Sequence, residues 1–190
     1  RAIRCRRLEV IPVECIARGY LAGLVLASYQ KSGSISGVPL PPGLTEGTKL
    51  PEPIFTPTTK AQSGHDRPLT ASEAADVVGS DLYEQLRDLS LRIYELGAAR
   101  ALDRGLILAD TKFEFGQLDD KVLVIDEMMT PDSSRYWPLE AYKVGTSPPS
   151  FDKQFVRDFM DSTGWNHEAP APAMPAEVID ATRGLYREAY

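Results

Sequence analysis

Leu82, Leu86, Leu89, Ile93 and Leu96 recur every three or four residues, the spacing of one apolar stripe on a long helix that packs against a core. Gly105 follows where a left-handed residue ends such a helix. Upstream, Thr70 with Glu73 fits a capping box for a short helix to about Val78, and Ser80 or Asp81 can cap the long one. After Gly105 the period changes. Residues 106–115 and 121–128 read as two strands, with the polar "GQLDDK" (Gly116–Lys121) as the hairpin loop between them. At the start of the chain, "LEVIPVECIA" (Leu8–Ala17) predicts a strand that bends at Pro12 or lies at an edge. Residues 31–68 are dense in Gly, Pro, Ser and Thr and predict a long surface loop with one or two short strands. Ser150 can cap a helix carrying Phe151, Phe155 and Phe159. Beyond it, "EAPAPAMP" reads as a stiff connector to a last helix over 177–190, with Val178, Thr182, Leu185 and Ala189 on one side.

The 190 residues, 43% hydrophobic and 25% charged, suffice for a real core. A net charge of −6 argues against nucleic acid or an anionic membrane as the main partner, although Arg1, Arg4, Arg6 and Arg7 form a local basic cluster. Cys5 and Cys15 have no metal-ligand spacing and no neighbouring histidine, so neither a zinc site nor a disulfide framework is signalled. No run of about 18 apolar residues is present, and the basic start lacks the order of a secretory signal. The expectation is a cytoplasmic protein.

The strand "ILADTKFEFG" (Ile107–Gly116) carries the chemistry. Alternation puts Asp110, Lys112 and Glu114 on one face and Thr111, Phe113 and Phe115 on the other, which should be buried. A hairpin closing around 116–121 would bring Asp126 opposite Asp110 or Lys112, gathering three carboxylates and one ammonium. Like charges so close call for a cation. Magnesium suits them, because it takes one or two carboxylates together with waters and phosphate oxygens. Glu114 and Asp126 are then the metal candidates, with Lys112 a point charge for a phosphoryl or carboxylate oxygen. The alternative is a polar face in water. "DEMMTPDSSRYW" (Asp126–Trp137) favours a site, since its turn collects hydroxyls, amides and one guanidinium suited to an anion. His65, beside Asp66, could shuttle protons or merely face solvent, and His167 reads as surface.

On these residues the chain resembles the SAICAR synthetase family. "LILADTKFEFG" (Leu106–Gly116) is similar to one family signature and "VIPVECIARGYLAG" (Val10–Gly23) to the other, while "DEMMTPDSSRYW" and "SFDKQFVRDF" (Ser150–Phe159) follow in order. The resemblance implies an α+β fold, an antiparallel sheet with packed helices and an ATP-grasp-like or kinase-like cleft. It divides the chain into the end of an ATP-binding lobe with its hinge strand (1–30), a central domain with the substrate and metal site (31–165) and a C-terminal connector and helix (166–190). It implies an ATP- and Mg2+-dependent ligase joining L-aspartate to carboxyaminoimidazole ribonucleotide (CAIR) in purine biosynthesis, with these small molecules as its partners. Carried over by position, Asp110 and Lys112 face the CAIR base and reacting carboxylate. Arg18, Ser134 and Arg135 hold the ribonucleotide phosphate, with Asp132 in the same turn, and Glu14 lies close to the nucleotide ligand. Glu114 and Asp126 hold magnesium and the nucleotide phosphates. Lys153, Gln154 and Arg157 lie toward the aspartate, and the hinge at Arg7 and Leu8 lies against adenine.

Two features depart from the family pattern. Leu24 stands where the first signature ends in serine, which removes a side-chain donor for the CAIR phosphate, worth about 1.5–3 kcal/mol for a hydrogen bond to a charged group. The family's N-terminal sheet domain, with its glycine-containing loop over the ATP phosphates, has no counterpart before Arg1, and no phosphate-loop pattern occurs elsewhere. The chain is therefore expected to be the later part of a longer protein. A binding module that keeps the fold but lacks the complete ATP and CAIR phosphate sites is the alternative.

Overall fold

The computed structural model describes residues 4–60, 66–151, 153–166 and 168–190; Arg1, His65 and His167 lie outside them. In chain order the strands and helices are β1 (Glu9–Val10), β2 (Val13–Tyr20), α1 (Leu24–Ser32), β3 (Ser34–Ile35), β4 (Val38–Pro39), β5 (Lys49–Phe55) and β6 (Thr58–Thr59). Then come α2 (Ala71–Val78), α3 (Ser80–Leu102), β7 (Leu106–Leu118), β8 (Lys121–Ile125), β9 (Ser134–Pro138), α4 (Gln154–Ser162) and α5 (Ala176–Ala189).

β7 is the spine of an antiparallel sheet. Its first half pairs with β2 on one edge and β9 on the other, and its second half pairs with β1 and β8. β5 and β6 extend the sheet beyond β2. β1 and β2 form one strand broken at Pro12, whose missing N–H cannot serve a ladder. α3 lies across one face of the sheet, and a core of Phe113, Phe115, Leu108, Val13, Phe55 and Leu86 fills the space between them. The fold is the α+β arrangement, antiparallel sheet with packed helices, that the sequence predicts.

A register shift between Leu108 and Asp110, where β9 pairs with β7, changes which way the strand faces. Leu108 packs in the α3-side core with Phe113, whereas Ile107 and Ala109 pack with Ala22 and Trp137. Asp110 then follows Ala109 on the side away from α3. The bulge thus hands the strand over from two apolar contacts to the charged row Asp110, Lys112 and Glu114.

Several local expectations are corrected. The buried line of α3 is Tyr83, Leu86, Ser90, Tyr94 and Ala101, about one position away from the leucine stripe, and Leu96 is 72% exposed. Hydroxyls are tolerated there because Ser90 Oγ donates to Leu86 O and Tyr94 Oη to Leu108 O, each at 2.7 Å. Gly79, not Ser80 or Asp81, stands at the start of α3, without a side-chain cap. The capping box of α2 forms as expected, with Thr70 N–H donating to Glu73 Oε2 at 2.8 Å. Residues 31–68 hold more order than a loop, because β5 alone gives the sheet seven residues. Leu24, 94% exposed, opens the helix α1, which covers a small core of Leu21, Tyr29, Ile35 and Leu50. Ser150 does not cap α4, since its hydroxyl donates to Tyr136 O at 3.2 Å.

Candidate functional site

The hairpin is tighter than its sequence suggests. β7 runs on to Leu118, which pairs with Lys121, so only Asp119 and Asp120 turn the chain. Glu114 pairs with Ile125, and β8 ends there. Asp126 therefore cannot lie opposite Asp110 or Lys112. It takes a positive φ of 60° and leaves the sheet as an exposed carboxylate. The segment from Asp126 to Ser133 loops out between β8 and β9 and returns where Lys112 N–H donates to Ser133 O at 2.8 Å.

The charged row of β7 divides into two clusters. In the first, Asp110, 8% exposed, accepts from Arg18 Nη1 at 2.7 Å and from Arg135 Nη1 at 3.2 Å, both to the same oxygen. Arg18 and Arg135 sit opposite Asp110 on the two flanking strands, so the sheet register itself closes this triad. Arg18 Nε also donates to Thr56 Oγ1 at 2.9 Å. Burial lowers the Arg18 pKa, and the neighbouring Asp110 only partly offsets that shift.

In the second cluster Lys112 Nζ bridges Glu14 Oε1 and Glu114 Oε1, each at 3.0 Å, and Lys60 Nζ contacts Glu114 Oε2. Desolvation works against the Lys112 charge, but the hydrogen bonds it donates to Glu114 and Glu14 outweigh it and raise its pKa. Desolvation likewise opposes ionisation of Glu114, and hydrogen bonds from Lys60 and Lys112 hold its carboxyl below the usual range.

A pocket of about 160 Å³ opens along this face, lined by Arg18, Asp110, Lys112, Ser134, Arg135 and residues of the Asp126–Ser133 loop and α4. Five of its side chains are basic (Arg18, Lys112, Arg135, Lys153, Arg157) and two are acidic (Asp110, Asp132). Lys153 pairs with Asp132 at 3.0 Å and, chiefly through that hydrogen bond, lowers the Asp132 pKa. Ser134 Oγ hydrogen-bonds Thr111 Oγ1 at 2.8 Å. A smaller pocket of about 120 Å³ adjoins through Arg135 and is lined by Gln154, Ser150, Glu46 and Gly23. Gly23 caps α1 at a φ of 65°, and a Cβ there would lie 2.8 Å from Arg135 Nη2. This position demands glycine, because the guanidinium lies directly against the start of α1.

Glu14, Arg18, Asp110, Lys112, Glu114, Asp132, Arg135 and Lys153 thus gather along one stretch of the sheet, whereas Ser134, paired with Thr111, turns its hydroxyl to the buried face. Arg7 and Leu8 lie elsewhere. Arg7 is exposed, and Leu8 precedes β1 close to Gly116, at the far end of β7. The sequence reading missed Lys60, Thr56 and Thr58. Thr58 pairs with Glu14 across β2 and β6, so their side chains share a face, and its buried hydroxyl has no hydrogen-bond partner among the described residues. The available signal was the alternation of Thr56, Thr58 and Lys60 inside a stretch taken for loop.

The structure is an α+β sheet protein whose predominantly basic pocket, beside a lysine-bridged carboxylate pair, has the charge to attract phosphate or carboxylate oxygens. The SAICAR synthetase family model matches residues 1–172, and the chain belongs to that family. Phosphoribosylaminoimidazole-succinocarboxamide synthase from Salinispora tropica is 53% identical over 192 residues, an alignment spanning 100% of this chain and 69% of the relative. The same-named protein of Stenotrophomonas maltophilia is also 53% identical, over 100% of this chain and 62% of its own length. SAICAR synthase from Saccharomyces cerevisiae, solved in complex with SAICAR, superposes with a TM-score of 0.86 at 41% identity, covering 97% of this chain and 60% of the yeast chain. A SAICAR synthetase solved with ADP gives a TM-score of 0.63 at 25% identity over 96% of this chain and 64% of that one. The chain therefore spans roughly 60–70% of the relatives it matches. Among the described residues, no helix is long and apolar enough to cross a membrane.

Proposed function

We propose that the protein of which this chain is part joins L-aspartate to the carboxylate of CAIR, at the expense of ATP, to give SAICAR, ADP and phosphate. The observation that carries this reading is the excess of basic over acidic side chains around the larger pocket. A ribonucleotide phosphate and a carboxylate need such an excess, and forked guanidiniums suit both. In this reading Arg18, Ser134 and Arg135 hold the ribonucleotide phosphate, with the N-terminus of α1 beside Arg135. Lys112 lies over the reacting carboxylate and Asp110 orients the two arginines. Lys153, Gln154 and Arg157 serve the aspartate, and Glu14 and the Arg7–Leu8 segment the nucleotide. A phosphoryl group passes from ATP to the CAIR carboxylate, and the aspartate amine then attacks the activated carbonyl, expels phosphate and loses a proton. Such transfers depend on positioning and charge neutralisation.

Magnesium fits the donors only as an ion that arrives with nucleotide phosphates. No group of three or more Asp, Glu, His or Cys among the described residues could hold it alone. Glu114 and the exposed Asp126 supply the one or two carboxylates such an ion takes. When bound, it would neutralise charge on the transferring phosphate.

The test is ADP release by the purified full-length protein with magnesium-ATP, with and without L-aspartate and CAIR. Release requiring both co-substrates is the expected result. Binding of magnesium-nucleotide without CAIR-dependent release would replace this reading with that of a binding module. Leu24 favours the module, since an exposed leucine at the start of α1 offers no hydroxyl to a phosphate beside Arg135.

A further inference from the structure

Both oxygens of Glu114 are engaged by ammonium groups, Oε1 by Lys112 at 3.0 Å and Oε2 by Lys60. The two lysines are not equivalent. Lys112 lies in the middle of β7 and also holds Glu14 at 3.0 Å, so it keeps a carboxylate partner whatever happens at Glu114. Lys60 follows directly on the two-residue strand β6, and Glu114 is its one carboxylate contact among the described residues. Its side chain is 36% exposed, whereas that of Glu114 is 11% exposed. A poorly hydrated carboxylate requires a counter-charge, and of the two ammonium groups the one without a second carboxylate is the one that can leave.

We infer that Lys60 is a place-holding cation. It neutralises Glu114 Oε2 while the nucleotide site is empty and exchanges with the divalent cation when that ion binds. The inference rests on the reading of Glu114 as a metal ligand, and it assigns Lys60 a role in cation exchange. A divalent ion and an ammonium cannot share that oxygen at contact distance without strong repulsion, so occupancy by one excludes the other.

The experiment titrates the full-length protein with Mn2+ in the presence of ADP, against an ADP-only control, and reads free Mn2+ by electron paramagnetic resonance. Lys60→Met keeps the length of the side chain and removes its charge, and should bind Mn2+ about tenfold more tightly than wild type. Adding Glu114→Gln should abolish the gain. An unchanged or weaker Mn2+ affinity in K60M, including no detectable binding in either protein, overturns the inference. A second measurement needs no variant: reductive methylation of Lys60 in the presence of ADP, followed by mass spectrometry, should accelerate in wild type when Mn2+ is added. Equal or slower labelling overturns the exchange. Neither assay contains CAIR or aspartate, so failure of the ligase reading leaves the two results interpretable.

Discussion

Asp110 holds two guanidiniums together inside the sheet, and its replacement by alanine should be the most damaging single change on this face. Both arginines donate to Oδ2, at 2.7 and 3.2 Å, and the side chains of Arg18, Arg135 and Asp110 are 13%, 15% and 11% exposed. Removing the carboxylate leaves two like charges facing each other with little water. Breaking a buried ion pair in this way costs about 3–5 kcal/mol. Thr56 still accepts from Arg18 Nε, which puts the expected cost at the lower part of that range. Asp110→Asn keeps an acceptor of the same shape and should cost roughly half as much. For a chain of this size each kcal/mol lowers the melting temperature by about 2–4 °C, so D110A should melt roughly 6–15 °C below wild type. Melting followed by circular dichroism, with and without added inorganic phosphate, checks both parts of the argument. Phosphate should recover more of the loss in D110A than it adds to wild type, because an anion can take the place of the carboxylate between the arginines. A D110A protein that melts within about 2 °C of wild type, or gains nothing more from phosphate, would refute the reasoning.

Three further predictions concern packing and ionisation. A Cβ at Gly19 would overlap the Tyr94 hydroxyl, which donates to Leu108 O, so Gly19→Ala should cost about 1–3 kcal/mol in urea unfolding, and Tyr94→Phe in the same chain should recover part of the loss. Glu73 has a pKa lowered to about 2 by the Thr70 backbone N–H and then by Arg67 and the Thr70 hydroxyl. Its contribution to stability is therefore fully present above the ordinary glutamate range and lost as pH falls toward 2, and carboxyl NMR titration should show that midpoint, while a midpoint near 4 would contradict the capping geometry. Burial pushes the Cys15 thiol up to about 12, whereas Cys5 is exposed, so a thiol reagent at pH 8 should label one cysteine in the native chain and two in denaturant.

Period-two alternation made the hairpin and its charged row legible, because a strand buried on one face must place Phe113 and Phe115 together and so fixes Asp110, Lys112 and Glu114 on the other. The Pro131–Arg135 turn chemistry points to Arg135 and the family resemblance to Arg18, but alternation alone could not place either opposite Asp110. Asp126 was misplaced because its positive φ, which no pattern of apolar residues announces, takes the chain out of the sheet one residue after Ile125. Leu82, Leu86, Leu89 and Ile93 of the α3 stripe do pack in or against the core, yet Leu96 does not and the most deeply buried line lies about one position away, for a different reason. Ser90 and Tyr94 are buried through hydrogen bonds that do not show in a hydropathy pattern, and Gly97 rather than Leu96 faces Met129. Lys60 was hidden by composition, since a stretch rich in proline and threonine looks like loop even where two residues pair as a strand.

The charged row and the hydrophobic interior hang on the same backbone, that of β7, on alternate residues. Local breathing therefore cannot release Asp110, Lys112 or Glu114 while the rest of the molecule stays intact, and the amides from Asp110 to Glu114 should be among the last to exchange with deuterated solvent. A one-residue slip of this strand would send phenylalanines into water and carboxylates into the interior, so the same penalty that keeps the protein folded also keeps its chemistry in register. Movement around the charged row must come from the segments that hang on the sheet only by side chains or single hydrogen bonds: Lys60 after β6, the loop through Asp132, and the start of α1.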